Sequence, residues 1–149
     1  RPGLSYLLPA TPGVRTWTSL DVPEGVDAWL IAWPAGTDTG WHDHQGSAGV
    51  FVVADGALTE FSIASTRLGE ALAPGDIAAG WSDIRTRRII AGDARRFGPQ
   101  HIHHVVNETS RTAYSVHVYA PRLRGMSRYE WRDDDLVLTV LEEAGTWQG

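Results

Sequence analysis

All six histidines of this 149-residue sequence fall in two segments, and imidazole is the commonest transition-metal ligand in proteins. Residues two apart on a β-strand share a face, so His42 and His44 are expected to point the same way, as are His101 and His103. Three neutral imidazoles that converge on one point predict a site for a divalent transition metal with coordination positions left over. The alternative is a pair of exposed histidines on an edge strand. The second segment contains His101, His103, His104 and His117.

The composition excludes several reaction classes. The sequence contains no cysteine and no lysine, which rules out a thiol nucleophile, a disulfide framework and a lysine Schiff base. The formal net charge is -5 and the arginines are dispersed, so no basic patch predicts binding to nucleic acid or to an anionic membrane. A small molecule is the expected partner, and no sequence feature indicates an oligomeric state. Because no apolar stretch reaches membrane length and no signal-peptide pattern is present, we expect a cytoplasmic protein.

Short runs of β-branched and aromatic residues follow one another from Asp27 onward, separated by clusters of Gly, Pro and Asp. Such spacing is typical of an antiparallel β-sandwich or barrel with few or no helices. The dipeptide Asp55-Gly56 supplies the positive φ that a tight hairpin turn needs. The runs are DAWLIAW, AGVFVVA, ALTEFSIA, DIAAGW, TRRIIA, HHVVN and TAYSVHVYA.

The length predicts one domain over residues 1–149, with a core over about 27–130. Residues 1–26 are expected to form an N-terminal extension and residues 131–149 a C-terminal segment. Within that segment, DDDLVLTVLEEAG fits either a helix with an acidic first turn or a last strand.

The two histidine segments resemble the two cupin motifs. Gly36, five further residues and His42-Asp43-His44, with Gly56 closing the hairpin, resemble the first motif. The resemblance implies a cupin-type jelly roll that holds a metal ion.

The second motif and one missing carboxylate narrow the resemblance from cupins in general to one family. His103 followed by Asn107 resembles the end of the second cupin motif. Most cupins have a glutamate ligand a few residues after the second histidine of the first motif, where this sequence has Ala48 and Gly49. Together with the stretch SVHVYAP, this departure makes the chain resemble a bacterial member of the cysteine dioxygenase family over Trp29 to Tyr129.

The resemblance implies an Fe(II) centre with three histidine ligands. The ligands fall on His42, His44 and His103. His101 is expected to be an outer neighbour of the metal or a polar group near the mouth of the site, and His104 to face away. Three neutral histidines leave the charge of Fe(II) uncancelled, which favours an anionic co-ligand such as a thiolate. The family then implies that both atoms of dioxygen are added to sulfur, giving a sulfinic acid.

The family's Ser-x-His-x-Tyr arrangement falls on Ser115, His117 and Tyr119. Alternation puts the three on one face of one strand, so a hydroxyl, an imidazole and a phenol can form a hydrogen-bonded chain with the phenol nearest the metal. Tyr119 would then hydrogen-bond the bound oxygen or the substrate. The alternative for Tyr119 is a core tyrosine with a satisfied hydroxyl.

Two departures from the family bear on the substrate. Gly49 stands where mammalian members have the cysteine that is joined to the active-site tyrosine, so no crosslink can form. Ser19 aligns with the arginine that binds the cysteine carboxylate in the family. Arg15 and Arg122 are the candidates to replace that arginine.

Tryptophans near the first motif suggest another kind of substrate contact. An indole-rich pocket without an arginine suits a cationic group through cation–π attraction. We therefore expect a thiol other than cysteine, either a betaine thiol such as ergothioneine or 3-mercaptopropionate, with Trp41 and His101 among its contacts. The tryptophans concerned are Trp17, Trp29, Trp33 and Trp41.

Two other functions fit the same residues. One is a different metal-dependent cupin enzyme, such as an isomerase or a dioxygenase acting on carbon, against which the missing glutamate argues. The other is a cupin that binds a ligand without catalysis, which has no evident need of Ser115, His117 and Tyr119.

Overall fold

Twelve β-strands and two 3₁₀ helices of three residues each form the regular structure in the computed structural model, which describes residues 3–63 and 72–143. No α-helix occurs within these residues. The helices are Leu4–Tyr6 and Trp81–Asp83. The strands are β1 (Thr16–Ser19), β2 (Asp27–Trp33), β3 (Trp41–Asp43), β4 (Ala48–Asp55), β5 (Ala57–Ile63), β6 (Ile77–Gly80), β7 (Ile84–Ile90), β8 (Ala94–Phe97), β9 (His103–Val106), β10 (Ala113–Ala120), β11 (Gly125–Arg132) and β12 (Asp135–Glu143).

The strands form two curled antiparallel sheets that pack face to face as a half-barrel. The five-stranded sheet has the order β1-β2-β10-β4-β8, and the seven-stranded sheet has the order β6-β12-β11-β3-β9-β5-β7. The hairpin between β4 and β5 turns at Gly56, which has a φ of 79°. The all-β antiparallel architecture predicted from the short runs is confirmed.

An apolar core fills the space between the sheets. Both sheets contribute to it, since Trp33 and Phe51 lie on the five-stranded sheet and Leu58 and Val105 on the seven-stranded sheet, each at most 1% exposed. Alternation along each strand sends every second side chain into this space. Side chains of the opposite parity on β3, β11 and β12 pack in a separate cluster that includes Tyr129 and is joined by Trp41 and Trp131.

Each of the seven apolar runs overlaps a strand, and the undecided C-terminal stretch forms one as well. Strand β12 covers Asp135–Glu143, because its β-branched and leucine side chains pair with both β6 and β11. Residues 144–149 lie outside the described residues. Sequence reasoning did not identify β1, β8 and β11, which are short or rich in charged residues. It placed both His42 and His44 on a strand, whereas β3 ends at Asp43.

Strands β1 and β12 extend the sheets beyond the expected core of residues 27–130. β1 pairs with β2 at one edge of the five-stranded sheet, and β12 lies between β6 and β11 in the other sheet. In the described part of the chain, no helix has the length and apolar character needed to span a membrane.

Candidate metal centre

Three buried imidazoles meet at one end of the space between the sheets. His42 lies on β3 and is paired in register with His103 on β9, while His44 lies in the loop directly after β3. Their ring centroids are 4.7 to 5.1 Å apart, and one ring nitrogen from each lies within 4.8 Å of the others. Each side chain is at most 3% exposed. The three residues can therefore hold a metal ion from one side.

The hydrogen bonds around these rings leave nitrogens free for a metal. His42 donates from Nδ1 to the Gly40 carbonyl oxygen over 3.0 Å, and His103 donates from Nδ1 to a Glu60 carboxylate oxygen over 2.7 Å. Because both acceptors carry no proton, Nδ1 holds the ring proton, and in the neutral ring Nε2 keeps its lone pair. Both ring nitrogens of His44 are buried and have no hydrogen-bond partner in the described part of the chain. An orphaned buried imidazole beside two oriented ones fits a metal centre.

Burial keeps these imidazoles neutral. It lowers the pKa of His42 and of His44 well below the ordinary histidine value, and the neighbouring histidines act in the same direction. Burial also lowers the pKa of His103 to about 4, although its hydrogen bond to Glu60 acts in the opposite direction. Neutral imidazole is the form that binds a metal, so the three rings are ready for one near pH 7.

A buried carboxylate that sequence reasoning missed lies directly behind His103. Glu60 on β5 is 1% exposed and accepts hydrogen bonds from His103, from His101 Nε2 over 3.1 Å and from Arg95 Nε over 2.6 Å. We refer to Glu60, Arg95, His101 and His103 as the Glu60 cluster. Burial alone would raise the pKa of the Glu60 carboxyl, but the hydrogen bonds from its partners hold it well below the usual range.

Ser115, His117 and Tyr119, here called the β10 trio, lie on the inner face of β10 as alternation predicts. His117 Nε2 lies 2.7 Å from the Ser115 hydroxyl, and His117 Nδ1 lies 3.2 Å from the Tyr119 hydroxyl. Trp33 Nε1 donates to Ser115 over 2.7 Å and so anchors the far end of the chain. Burial lowers the pKa of His117 to about 3 and raises that of the Tyr119 phenol. Near pH 7 the imidazole is therefore neutral and the phenol is protonated.

A cavity of about 110 Å³ adjoins two of the three histidines, His42 and His103. His42, His103, His117 and Tyr119 line its polar side, and aromatic rings that include Trp17 and Trp29 line its apolar side. A cavity of this kind admits a small molecule. Among the described residues no aspartate or glutamate lines it.

Two arginines line the cavity, so the expectation of a pocket without an arginine is wrong. The Arg15 guanidinium carbon lies 4.9 Å from the Trp33 ring centre and 5.8 Å from that of Trp17, and Arg15 Nε is buried without a partner in the described part of the chain. Burial lowers the pKa of Arg15, and Arg128 acts in the same direction. Arg128 already donates to Glu142 and to the Thr39 carbonyl oxygen. Arg15 is the better placed of the two to bind an anion.

Three of the residues predicted to contact substrate lie away from the cavity. Trp41 packs outside it against His104 and Trp131, because Trp41 precedes the inward-pointing His42 on β3 and alternation turns it to the other face. Arg122 is 68% exposed and donates to Asp27 over 3.0 Å, where it lines a separate surface groove. His101 lies behind His103, where it binds Glu60. Arg15 alone of the four predicted contacts lines the cavity.

Two neighbouring positions explain local features of the sequence. His104 faces away from the centre, as predicted, and lies between the rings of Trp41 and Phe61. Gly49 pairs with Tyr119, and a side chain at Gly49 would collide with the Phe97 ring. Phe97 stacks on the His44 ring at a centroid distance of 4.8 Å, so glycine makes room for an aromatic wall beside the metal ligand candidates.

Comparisons with known proteins agree with this arrangement. The family model "Cysteine dioxygenase type I" matches residues 11–132, whereas no curated protein sequence matches the chain. A double-stranded β-helix protein from Klebsiella pneumoniae superposes with a TM-score of 0.60 at 14% identity, covering 96% of both chains.

Two further structures show the same fold. A cupin superfamily protein from Desulfitobacterium hafniense superposes with a TM-score of 0.56 at 12% identity, over 80% of this chain and 90% of that one. An oxalate oxidase in complex with glycolate superposes with a TM-score of 0.58 at 21% identity, over 78% of this chain. The chain spans only 56% of that oxalate oxidase. The cupin-type fold predicted from the sequence is confirmed.

Proposed function

The chain belongs to the cysteine dioxygenase type I family, and on that premise we propose that it is a cytoplasmic, Fe(II)-dependent thiol dioxygenase. In the proposed reaction a thiol RSH and one dioxygen give the sulfinic acid RSO₂H. The O–O and S–H bonds break, two S–O bonds form, and the proton stays on the product. Sulfur loses four electrons and dioxygen gains four, so no further oxidant or reductant is needed.

His42, His44 and His103 are the proposed metal ligands. The strongest support is His44, whose two buried ring nitrogens have no partner in the described part of the chain. Fe(II) held by the three rings would bind a thiolate and activate dioxygen for transfer to sulfur. Neutral ligands leave the positive charge of the ion available to a thiolate, and the Glu60 carboxylate acts on it only through His103.

The β10 trio is proposed to hold a proton at the cavity. Tyr119 lines the cavity, and its raised pKa keeps the phenol able to donate a hydrogen bond to substrate or oxygen. Ser115 and His117 fix the orientation of that phenol from behind. Trp33 extends this series of hydrogen bonds beyond Ser115, and its ring lies 4.9 Å from the Arg15 guanidinium carbon.

The charges around the cavity favour a thiol that carries a carboxylate and no ammonium group. The half-buried Arg15 side chain offers a buried Nε that has no partner among the described residues, which suits a carboxylate. An ammonium group would lie near two guanidiniums and the proposed metal position, and no carboxylate of the described residues lines the cavity to offset their charge. The Trp17 and Trp29 rings in the cavity wall would offer a cation only the weaker cation–π attraction, and Arg15 already lies over the Trp17 ring. We therefore propose 3-mercaptopropionate ahead of cysteine and ergothioneine.

Oxygen uptake with a thiol panel tests this function. Protein reconstituted with Fe(II) under argon is mixed with ¹⁸O₂ and one thiol at a time. The thiols are 3-mercaptopropionate, cysteine, ergothioneine and cysteamine. We expect the fastest uptake with 3-mercaptopropionate and a sulfinate that contains two ¹⁸O atoms. Iron-loaded protein that consumes no oxygen with any thiol would refute the dioxygenase proposal. A preference for cysteamine or ergothioneine would refute the substrate class.

A further inference from the structure

Glu60, Arg95 and His101, the members of the Glu60 cluster that lie behind His103, form a charged group that the proposed reaction does not itself use. The Glu60 carboxylate is 1% exposed, and its two oxygens are divided between different partners. Oε1 accepts from Arg95 at 2.6 Å, and Oε2 accepts from His103 at 2.7 Å and from His101 at 3.1 Å. The cluster joins three strands from both sheets, since β5 and β9 belong to one and β8 to the other.

Fold stability does not account for this cluster. Removing a carboxylate and a guanidinium from water costs more than an isolated ion pair usually returns, and apolar residues of similar volume are often as stabilising. Leu58, on the same face of β5, and Val105, paired with Glu60 on β9, are buried core residues, so an apolar residue at position 60 would match them. A buried charge kept at such a position indicates a task beyond packing.

The pairing of β5 with β9 places the Glu60 side chain on the same face of the sheet as His103. Glu60 is paired with Val105 on β9, and side chains two residues apart on β9 share a face, so Glu60 lies on the same face as His103. Its Oε2 meets Nδ1 of His103, on the opposite side of the ring from Nε2. The carboxylate therefore touches the imidazole and stays outside the cavity.

His42 provides an internal comparison. Its Nδ1 donates to a neutral backbone carbonyl at 3.0 Å, whereas Nδ1 of His103 donates to a carboxylate at 2.7 Å. A carboxylate acceptor polarises the ring more strongly than a carbonyl does, which makes the opposite nitrogen a better electron donor. Arg95 donates a hydrogen bond to the same carboxylate, which reduces the polarisation of the His103 ring by Glu60.

We propose that Glu60 is a positioning residue that fixes His103 with its Nδ1 proton inward and strengthens Nε2 as a metal donor, with Arg95 setting the strength of that effect. The proposal rests on the proposed function for the identity of the metal site. The cluster thus supplies part of a negative charge to a centre whose proposed ligands are all neutral. Glu60 acts through His103 and is not itself a ligand.

Co(II) binding, measured without thiol or dioxygen, tests this proposal. Co(II) affinity is determined by competition with a chelator, and the visible d–d spectrum reports the donor strength of the ligands. Glu60→Gln keeps the size of the side chain and removes its charge. We expect it to bind Co(II) roughly tenfold to a hundredfold more weakly, with a shifted spectrum. Asp55→Asn is the matched control, since Asp55 pairs with Arg111 at the surface, and it should bind like the wild type.

Arg95→Gln provides a variant with the opposite expected sign. It frees the carboxylate of its cation and should bind Co(II) severalfold more tightly, which a merely structural cluster would not produce. If Glu60→Gln does not fold, the Co(II) affinity of Arg95→Gln tests the proposal by itself. Unchanged affinity and spectrum in Glu60→Gln, or weaker binding in Arg95→Gln, would overturn the proposal.

Stoichiometry separates a positioning role from direct ligation. Glu60, His101 and His103 also have ligand atoms within 4.8 Å of one another. A second Co(II) that is lost in Glu60→Gln would make Glu60 a ligand and overturn the proposal. Co(II) binding is measured without substrate, so a protein that oxidises no thiol can still show the expected effect of Glu60 on Co(II) affinity. Conversely, an unchanged Co(II) affinity in Glu60→Gln would not contradict the oxygen-uptake result.

Discussion

The β10 trio and the Glu60 cluster border the same proposed metal site from two directions, but they are built differently. The trio is neutral and comes from one strand, in which residues two apart face the same way. The cluster is charged and comes from β5, β8, β9 and the segment that leads into β9. The trio faces the cavity through His117 and Tyr119, whereas Glu60, Arg95 and His101 reach the site only through His103. Variants on the cluster side should therefore change metal binding first, and variants on the trio side should change turnover first.

The largest effect is expected from His103→Ala. Loss of a metal ligand should weaken iron binding by more than about a hundredfold, since loss of an outer partner alone costs tenfold to a hundredfold. Metal content after dialysis, determined by elemental analysis, checks this. His104→Ala is the matched control because His104 faces away from the centre and should leave iron bound. Equal iron content in the two variants would contradict the ligand assignment.

Tyr119→Phe should separate turnover from metal binding. The change removes one hydroxyl from a buried ring, so we expect normal iron content and a rate loss of roughly 10²-fold, the size typical of one positioned proton-transfer group. Oxygen uptake per bound iron measures it. Normal turnover would mean that the trio only packs the core, and lost iron would mean that the two sides of the site are not separable.

Arg15→Gln should act on substrate binding. A hydrogen bond to a charged group contributes about 1.5 to 3 kcal/mol, so the KM for a thiol carboxylate should rise roughly tenfold to a hundredfold with a smaller change in kcat. Arg122→Gln is the control, since Arg122 is exposed and paired with Asp27 outside the cavity, and its KM should match the wild type. An equal KM in both arginine variants would remove Arg15 from the substrate site.

Acidification should destabilise the metal-free protein through histidines on both sides of the site. Folding depresses the pKa of His103 to about 4 and of His117 to about 3, so between these values and about 6.5 the unfolded chain binds more protons and stability falls as pH falls. From pH 7 to pH 5 each group should cost about 2 kcal/mol of the free energy of unfolding. Urea unfolding at the two pH values measures the loss. In His117→Gln the loss should be smaller by about that amount, and an unchanged pH dependence would show that His117 is not held neutral by folding.

The amino-acid sequence by itself determined the features that depend on neighbours along the chain. Apolar runs separated by Gly, Pro and Asp predicted the antiparallel strands, and Asp55-Gly56 predicted the turn between β4 and β5. Parity alone gave the common face of Ser115, His117 and Tyr119, because two-residue alternation is a property of any strand.

Tertiary structure decided the features that depend on which strands meet. Nothing near Glu60 in the sequence distinguishes it from an exposed strand carboxylate, and only the register of β5 against β9 brings it to His103. Arg15 reaches the cavity because β1 adds to the edge of β2, while Trp41 turns out of the barrel because His42 turns in. Alternation fixes which residues share a face, but sheet pairing and the packing of one sheet on the other fix which face encloses the site, and these depend on contacts distant in the sequence.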